Sequence, residues 1–391
     1  MTAKSARHSL VFSCIGHSYA HLFEPIFFVV ALVLPGELGM SYEAVLALVI
    51  AGKLLYGIAA PISGWCGDRW GATPMMAVYF LGLGLAAVAT GLAQSPMQIA
   101  VALAAVGLFG SIYHPVGIAW LVRNAESHGK ALGVNGVFGG VGPALAGVLA
   151  GGLTAWLGWR SAFIIPGIAV FITGLAFVRL LRLGEIVELT SDRKTSPPVS
   201  RGDTIRVGVI LSLTLLCSGL IYQSTQPALP KLFEERMALQ LGDNIMGIGG
   251  AIMVVYLVAG LLQVVAGHLA DRYPLRNVYI LMYVAQVPLL WLAASFSGWP
   301  LLGVAVLMVT FNLGGIPAEN SMLARYTPAK WRGTAFGLKF ILSFGVSGLG
   351  VPMVSLIRVQ TGGFEWLFWI LAALSAAIVG LGMFLPKGEN A

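Results

Sequence analysis

The chain has 391 residues, of which 58% are hydrophobic and only 10% are charged, and its mean hydropathy is +0.86. A chain with so few polar residues cannot form a polar surface over a water-soluble fold, which excludes a soluble enzyme. The net charge of +7 does not indicate a nucleic-acid partner, because the basic residues lie in short segments between apolar runs and not on one face.

Apolar runs of 18 residues or more recur along the chain, and each is long enough to cross a hydrocarbon layer of about 30 Å. They predict an all-α polytopic membrane protein with twelve transmembrane helices. We number these helices α1 to α12, at 9–34, 43–65, 74–93, 97–122, 131–157, 160–182, 206–232, 244–268, 276–296, 299–325, 333–359 and 364–386. The first run is too long for a signal peptide and carries ionisable residues, so we expect α1 to be retained.

Three pairs of segments match at nearly one spacing, which indicates an internal repeat. The pairs are 64–73 with 267–276, 17–25 with 219–227, and 128–133 with 332–337, at offsets of 203, 202 and 204. The repeat predicts two pseudo-symmetric six-helix bundles in the same orientation, with a substrate site between them near the membrane midplane. The predicted domains are therefore 1–182 and 206–391, joined by a polar, proline-containing linker at 183–205.

The distribution of lysine and arginine predicts the orientation of the chain. If the N-terminus is inside, 17 of the 23 basic residues lie in cytoplasmic segments, four lie outside, and Lys53 and Lys339 lie within helices. Because short cytoplasmic loops carry an excess of basic residues, we expect both termini to be cytoplasmic.

The two six-helix halves, the central linker and a Gly-x-x-x-Asp-Arg segment after α2 resemble the major facilitator superfamily along the whole chain. The residues that match this family motif are Gly64, Asp68, Arg69 and Gly71 in the first half, and Asp271 and Arg272 in the second. The resemblance implies alternating access, with the Asp-Arg segments as a gate. The alternative for Asp68 is a tight turn in which it caps the start of α3.

Two further segments are similar to particular branches of that family. The run from Gly107 to Pro115 in α4 is similar to the fosmidomycin-resistance branch, and Gly142-Pro143 in α5 is similar to the family's antiporters. This resemblance implies a drug-efflux transporter in a bacterial inner membrane.

His17, His21 and Glu24 are spaced i, i+4 and i+7, so they share one face of α1. Ionisable groups inside a membrane are costly and usually face a cavity or a partner. Gln223 and Gln226 occupy matching positions in α7, which predicts two polar stripes across a central cavity. We expect substrate binding there, with Glu24 and a histidine exchanging a proton. A hydrogen-bonded packing network between α1 and α2 is the alternative.

Two lysines within predicted spans each have a candidate carboxylate partner. Lys53 lies at a depth similar to that of Glu24, and an unpaired lysine there would be costly, so we expect an ion pair. That pair is either structural or a switch that exchanges partners. Glu319 and Lys339 form a second candidate pair, and Asn320 extends its polar face.

His114 immediately precedes Pro115, where α4 loses a backbone hydrogen bond and can bend. We expect His114 either to bind substrate or to gate a kink. The alternative is a structural role. Pro115 has no backbone N–H, so one carbonyl oxygen of the preceding turn lacks its usual donor, and His114 donates a hydrogen bond to it.

Nucleotide-binding loops, nucleophile elbows and cysteine-rich metal motifs are absent from the sequence, so we predict a transporter without a cofactor and not an enzyme. The leading hypothesis is proton-coupled export of a small amphipathic or weakly charged organic solute by a monomer in the bilayer, without nucleic acid. The alternative is transport of a transition metal or metal chelate, with His17, His21 and His114 as ligands. A receptor that transports nothing is disfavoured, because both Asp-Arg segments are intact.

Overall fold

The computed structural model describes residues 3–125, 128–187, 200–242, 244–328 and 331–386. Within these ranges every regular element is helical, and ten helices are long and apolar enough to cross a membrane, or eleven if the bent halves of α2 count as one span. The predicted all-α membrane fold is confirmed. Most of the predicted linker, at 188–199, lies outside the described residues, as do Lys330 and Lys387, which we counted as cytoplasmic.

The chain divides into two compact units. The first comprises Met1–Arg193 and Asn244–Met253, and the second comprises Lys194–Asp243 and Val254–Ala391.

The first unit contains α1 to α6, and three of these helices are interrupted. The observed bounds are Ala3–Ala20 and Phe23–Val30 for α1; Tyr42–Ala47, Ile50–Ile58 and Ala60–Trp70 for α2; Ala72–Leu92 for α3; Pro96–Gly110, the π-helical Tyr113–Gly117 and Ile118–Asn124 for α4; His128–Leu157 for α5; and Ser161–Arg182 for α6. A short helix, Leu34–Leu38, follows α1.

Prolines account for one break in each of α1, α2 and α4. A proline lacks the backbone donor, and its ring clashes with the carbonyl four residues earlier, so the helix is disturbed two to four residues before it. The breaks are at residues 21–22 before Pro25, at 59 before Pro61, and at 111–112 before Pro115. As a result, His21 lies in the break of α1 and His114 lies in the π-helical part of α4.

The second half of the chain forms α7 to α12, of which α11 is irregular. The observed bounds are Arg201–Arg236 for α7; Ile245–Arg272 for α8; Leu275–Ala293 for α9; Gly298–Tyr326 for α10; Arg332–Phe340, the π-helical Ile341–Gly345, the 3₁₀-helical Val346–Leu349 and Gly350–Thr361 for α11; and Glu365–Gly382 for α12. A short helix, Ala238–Leu241, follows α7.

Glycines bring α2 and α4 into backbone contact inside the first unit. A Cβ atom added at Gly107 would overlap the carbonyl oxygen of Gly52, and one added at Gly52 would overlap the carbonyl oxygen of Leu103. Such small residues let helices pack closely where apolar lipid provides no hydrophobic drive for association. This contact holds α2, which carries Lys53, directly against α4.

Candidate functional site

Glu24 and Lys53 form an ion pair between α1 and α2, as their similar depths predict. The Lys53 ammonium contacts Oε1 of Glu24; the lysine side chain is 3% exposed and the glutamate side chain is 23% exposed. The ammonium also lies 5.6 Å from the centre of the Phe28 ring, close enough for a cation–π contribution. The glutamate therefore provides the main compensation for a cation that is almost fully removed from solvent.

The ion pair lies in the wall of a cleft formed by α1 to α4. The enclosed space in this cleft is about 30 Å³, which is room for about one or two water molecules. Its polar side chains are Glu24, Lys53, Tyr19 and Tyr56. The remainder of the wall is apolar or glycine: Ala20, Phe23, Val49, Gly52, Leu83, Leu103, Val106, Gly107 and Gly110. The wall is therefore mainly apolar and contains one ion pair.

His17, His21 and His114 come together in the first unit. The ring centres are 5.2 Å apart for His17 and His21, 5.4 Å for His17 and His114, and 5.0 Å for His21 and His114. One ring nitrogen from each histidine lies within 4.8 Å of the other two. We call these three residues the histidine cluster. The helical break at His21–Leu22 separates this cluster from Glu24, which pairs with Lys53.

His17 is held by α4 and α5. Its Nδ1 lies 2.8 Å from the backbone carbonyl oxygen of Asn135, and its ring stacks on Tyr113 at 5.1 Å with 20° between the planes. Gly139 leaves room for the ring, because an added Cβ there would lie 2.6 Å from Cε1 of His17. The hydrogen bond to α5 and the ring stacking on α4 therefore both fix the orientation of the His17 ring.

His114 is held by Tyr56 of α2. The Tyr56 hydroxyl donates to the carbonyl oxygen of Ala20 at 3.2 Å, and it lies 3.2 Å from Nδ1 of His114. The same tyrosine lines the cleft that contains Glu24 and Lys53. Tyr56 therefore connects the histidine cluster to the wall of the cleft.

Asn135 of α5 is the centre of a buried network. Its amide nitrogen donates to the Tyr113 hydroxyl at 2.8 Å and to Oγ of Ser13 at 3.2 Å, while the Tyr113 hydroxyl donates to the Ser13 carbonyl oxygen at 2.7 Å. The packing network around α1 thus involves α4 and α5 as well as α2. Asn135 and Tyr56 are not among the predicted site residues, although an asparagine inside the apolar α5 is a signal for one.

We expect Asn135→Leu to destabilise the protein by about 1–3 kcal/mol, because it removes two buried hydrogen bonds, to the hydroxyl oxygens of Tyr113 and Ser13. Thermal unfolding of the purified protein in detergent measures this effect. Asn277→Leu is the matched control, since Asn277 is exposed on α9 and should change stability little. Equal unfolding temperatures for the two variants would contradict a structural role for the network.

Glu319 and Lys339 form the second predicted ion pair, between α10 and α11. The Lys339 ammonium donates to Oε1 of Glu319 at 2.6 Å and to Oδ1 of Asn320 at 2.5 Å. Both members of the ion pair are buried in the second unit. All three residues that the sequence placed on this polar face are therefore brought together.

Gln223 and Gln226 are buried in the second unit. The Gln223 amide donates to the Ser343 carbonyl oxygen at 3.3 Å, and the Gln226 amide donates to the Tyr222 hydroxyl at 3.1 Å. The first of these contacts joins α7 to the π-helical segment of α11. The arrangement in which these glutamines face the histidines of α1 stays a prediction.

The alternative in which Asp68 forms a tight turn and caps α3 is wrong. Asp68 and Arg69 lie in the last turn of the final α2 segment, and Asp271 and Arg272 are the last residues of α8; all four are exposed. The α2 helix ends instead at Gly71, whose φ of 97° is a conformation that favours glycine. Gly71 is also the N-cap of α3, so Asp68 does not cap that helix.

The end of α2 packs against the π-helical part of α4. A Cβ atom added at Gly64 would lie 3.3 Å from Cβ of Pro115, and one added at Gly67 would lie 2.8 Å from Cγ2 of Val116. The motif glycine Gly64 therefore touches the residue that follows His114. This contact links the proposed gate segment to the helix that carries one member of the histidine cluster.

Known proteins resemble this chain in sequence. The chain is 32% identical over 241 residues to the puromycin resistance protein pur8 of Streptomyces alboniger, a match that covers 60% of this chain and 42% of that protein. It is 27% identical over 338 residues to the multidrug resistance protein MdtG of Salmonella typhimurium, covering 82% of this chain and 80% of that protein. The chain thus spans less than half the length of the puromycin resistance protein.

The fold also resembles a solved structure, and a family sequence model matches the chain. A bacterial homologue of the human lysosomal transporter Spinster, in an inward-facing and unoccupied conformation, superposes with a TM-score of 0.73 at 15% identity, covering 98% of this chain and 95% of that one. The model of the Major Facilitator Superfamily matches residues 13–260 and 211–390. Because these matches extend over nearly the whole sequence, the chain belongs to the Major Facilitator Superfamily of membrane transporters.

Proposed function

We propose that the protein exports a small amphipathic or weakly charged organic solute in exchange for protons, by alternating access. The observation that carries this proposal is the Glu24–Lys53 ion pair in the wall of a mainly apolar cleft. Relatives that are named for resistance to puromycin and to multiple drugs support an organic solute and export. The proposal includes a monomer in a bacterial inner membrane with both termini in the cytoplasm.

The ion pair provides a reason for proton coupling. A proton on Glu24 removes the negative charge that compensates Lys53, and a buried cation without a counter-charge is costly. We therefore expect protonation of Glu24 to favour a state in which Lys53 has a new charged partner or more solvent, which requires the helices around it to move. The carboxylate of Glu24 is the member of the pair that can accept a proton, and its side chain is 23% exposed, whereas that of Lys53 is 3% exposed.

The same carboxylate gives a reason for exchange. A weakly basic solute in the cleft is attracted by the negative charge of an ionised Glu24. When Glu24 is protonated, the positive charge of Lys53 remains and disfavours binding of such a solute. Solute and proton then compete for one group, which is the coupling that an antiporter needs. Tyr19 and Tyr56 are the other titratable groups of the cleft, and His21 lies three residues before Glu24.

The test is substrate-dependent proton movement in reconstituted vesicles. The purified protein is placed in vesicles that contain a pH-sensitive dye, a proton gradient is imposed, and puromycin or another antimicrobial compound is added. We expect the wild-type protein to release protons when a substrate is added. We expect Glu24→Gln to reduce the signal to that of empty vesicles, while Glu37→Gln, at an exposed position after α1, retains it.

A stability control separates loss of coupling from loss of folding. The double variant Glu24→Gln/Lys53→Met contains neither charge, so it avoids the unpaired lysine and is expected to fold. If this variant folds and still couples solute to protons, the ion pair has no part in coupling. If the wild-type protein moves a solute without any proton movement, the proposed coupling is wrong. His21→Ala, measured in the same assay, tests the predicted histidine contribution.

A transition metal as the transported species is the second candidate function, and the histidine cluster is the observation in its favour. It predicts that cells expressing the protein contain a different amount of a transition metal from cells that lack it. Equal metal contents over a range of external concentrations would remove this candidate.

A further inference from the structure

We infer that His17, His21 and His114 bind one transition-metal ion, of the class of Zn²⁺ or Co²⁺, between α1 and the π-helical part of α4. This inference goes beyond the proposed export, because such an ion binds in the absence of any solute or proton gradient. It concerns binding and not transport, so it also differs from metal as the transported species.

The hydrogen bond behind His17 determines where its ring proton lies. A carbonyl oxygen only accepts, so Nδ1 of His17 donates its proton to Asn135 at 2.8 Å. The neutral His17 ring then presents the lone pair of Nε2. This assignment depends only on the chemistry of the backbone carbonyl.

The same reasoning applies to His114 through Tyr56. The tyrosine has one hydroxyl proton, and that proton is donated to the carbonyl oxygen of Ala20. When this proton goes to Ala20, the tyrosine oxygen accepts from Nδ1 of His114, and the lone pair of His114 then lies on Nε2. Metal-bound histidines in proteins commonly donate their second ring proton to an oxygen in this way, which orients the ring and increases its basicity.

The dimensions of the cluster are close to those of a three-histidine site. Zinc–nitrogen bonds of about 2.0–2.1 Å in a tetrahedral site place the ligand nitrogens roughly 3.3 Å apart. The nitrogens of this cluster lie within 4.8 Å of one another, so side-chain rotations that close about 1–1.5 Å are sufficient. The side chains of His17 and His21 are each partly exposed.

The chemistry of the ligands selects the class of metal. Imidazole nitrogens suit zinc, cobalt, nickel and copper, whereas magnesium and calcium prefer oxygen ligands. Three protein ligands leave the fourth tetrahedral position for water or another small molecule. The nearby carboxylate of Glu24 is engaged with Lys53, so the predicted ligand set is the three imidazoles alone.

Direct binding to the purified full-length protein tests this inference. The protein is prepared without a polyhistidine tag, stripped with a chelator and titrated with Co²⁺, whose visible absorption reports tetrahedral nitrogen ligation. We expect one ion per chain for the wild-type protein and for His268→Gln, whose histidine is exposed on α8. We expect loss of the absorption bands and of stoichiometric binding in His21→Gln and in His114→Gln.

A second measurement on the wild-type protein avoids dependence on the folding of the variants. Mass spectrometry after modification with diethyl pyrocarbonate should show that Zn²⁺ protects His17, His21 and His114 and leaves His268 reactive. Absence of stoichiometric binding by the wild-type protein, or unchanged binding by a folded His114→Gln variant, would overturn the inference. Neither measurement depends on transport, so the absence of metal binding would not contradict the proposed export, which the vesicle assay tests separately.

Discussion

Glu24→Gln is expected to destabilise the protein more than Lys53→Met, and the double variant is expected to be more stable than Glu24→Gln. Removing Glu24 leaves a lysine that is 3% exposed without its counter-charge, whereas removing Lys53 leaves a carboxylate that is 23% exposed to the cleft. Breaking a buried ion pair typically costs about 3–5 kcal/mol, and replacing both charges costs much less. We expect Glu24→Gln to lie near the lower end of that range, because Glu24 is not fully buried.

Thermal unfolding in detergent for the two single variants and the double variant forms a double-mutant cycle, which isolates the energy of the pair. Glu234→Gln is the control, because it breaks the more exposed Lys231–Glu234 pair within α7. Pairs of that kind contribute about 0–1 kcal/mol. If the double variant is as unstable as the sum of the single variants, the pair does not stabilise the protein through its charges.

Gly142→Ala is expected to disturb the contact between α1 and α5. A Cβ atom at Gly142 would overlap the carbonyl oxygen of Ser18 and would lie 3.0 Å from Cβ of His21. Backbone atoms cannot rotate away as a flexible side chain can, so α1 must shift. Overpacking of this kind costs about 1–3 kcal/mol. The shift should also move His21 away from His114 and weaken Co²⁺ binding.

Gly136→Ala is the matched control on the same helix, because no heavy atom lies within 4 Å of a Cβ added there. Alanine favours a helix over glycine by about 0.5–1 kcal/mol, so this variant should be as stable as the wild-type protein or more stable. Both unfolding temperature and Co²⁺ absorption should be measured. If Gly142→Ala behaves like Gly136→Ala in both measurements, α5 does not position His21.

The two ion pairs were predictable from the sequence because of the cost of charge in an apolar environment. A lysine inside an apolar helix needs a carboxylate at a similar depth on a neighbouring helix, and few candidates exist in a chain with 16 acidic residues. Consecutive helices with short connections are usually neighbours, which favoured Lys53 with Glu24 and Lys339 with Glu319. Both pairs form in the structure.

The histidine cluster was only partly predictable. His17 and His21 are four residues apart, so helical periodicity alone places them side by side. The position of His114 depends on a π-helical segment, which adds a residue to a turn and rotates the side chains that follow. The contributions of Tyr56 and Asn135 depend on how α2 and α5 pack against α1 and α4, which no periodicity within one helix specifies.

Helix breaks at prolines also have both a local cause and a tertiary cause. Pro25, Pro61 and Pro115 accompany breaks, whereas Pro143 and Pro227 lie inside the continuous helices α5 and α7. Each proline removes one backbone hydrogen bond, but neighbouring helices can satisfy the released carbonyl and so preserve the helix. The chemistry of proline indicates where a break can occur, and the packed neighbours decide whether it does.

Composition and hydrophobic periodicity alone determined that this is a polytopic helical membrane protein, because lipid requires long apolar helices whose backbone bonds are satisfied internally. They also determined that Lys53 and Lys339 need partners. Only the tertiary structure decided that His114 joins His17 and His21, and that Asn135 and Tyr56 hold this cluster. These features depend on contacts between helices distant in sequence, where the rotation and depth of each helix result from packing against its neighbours.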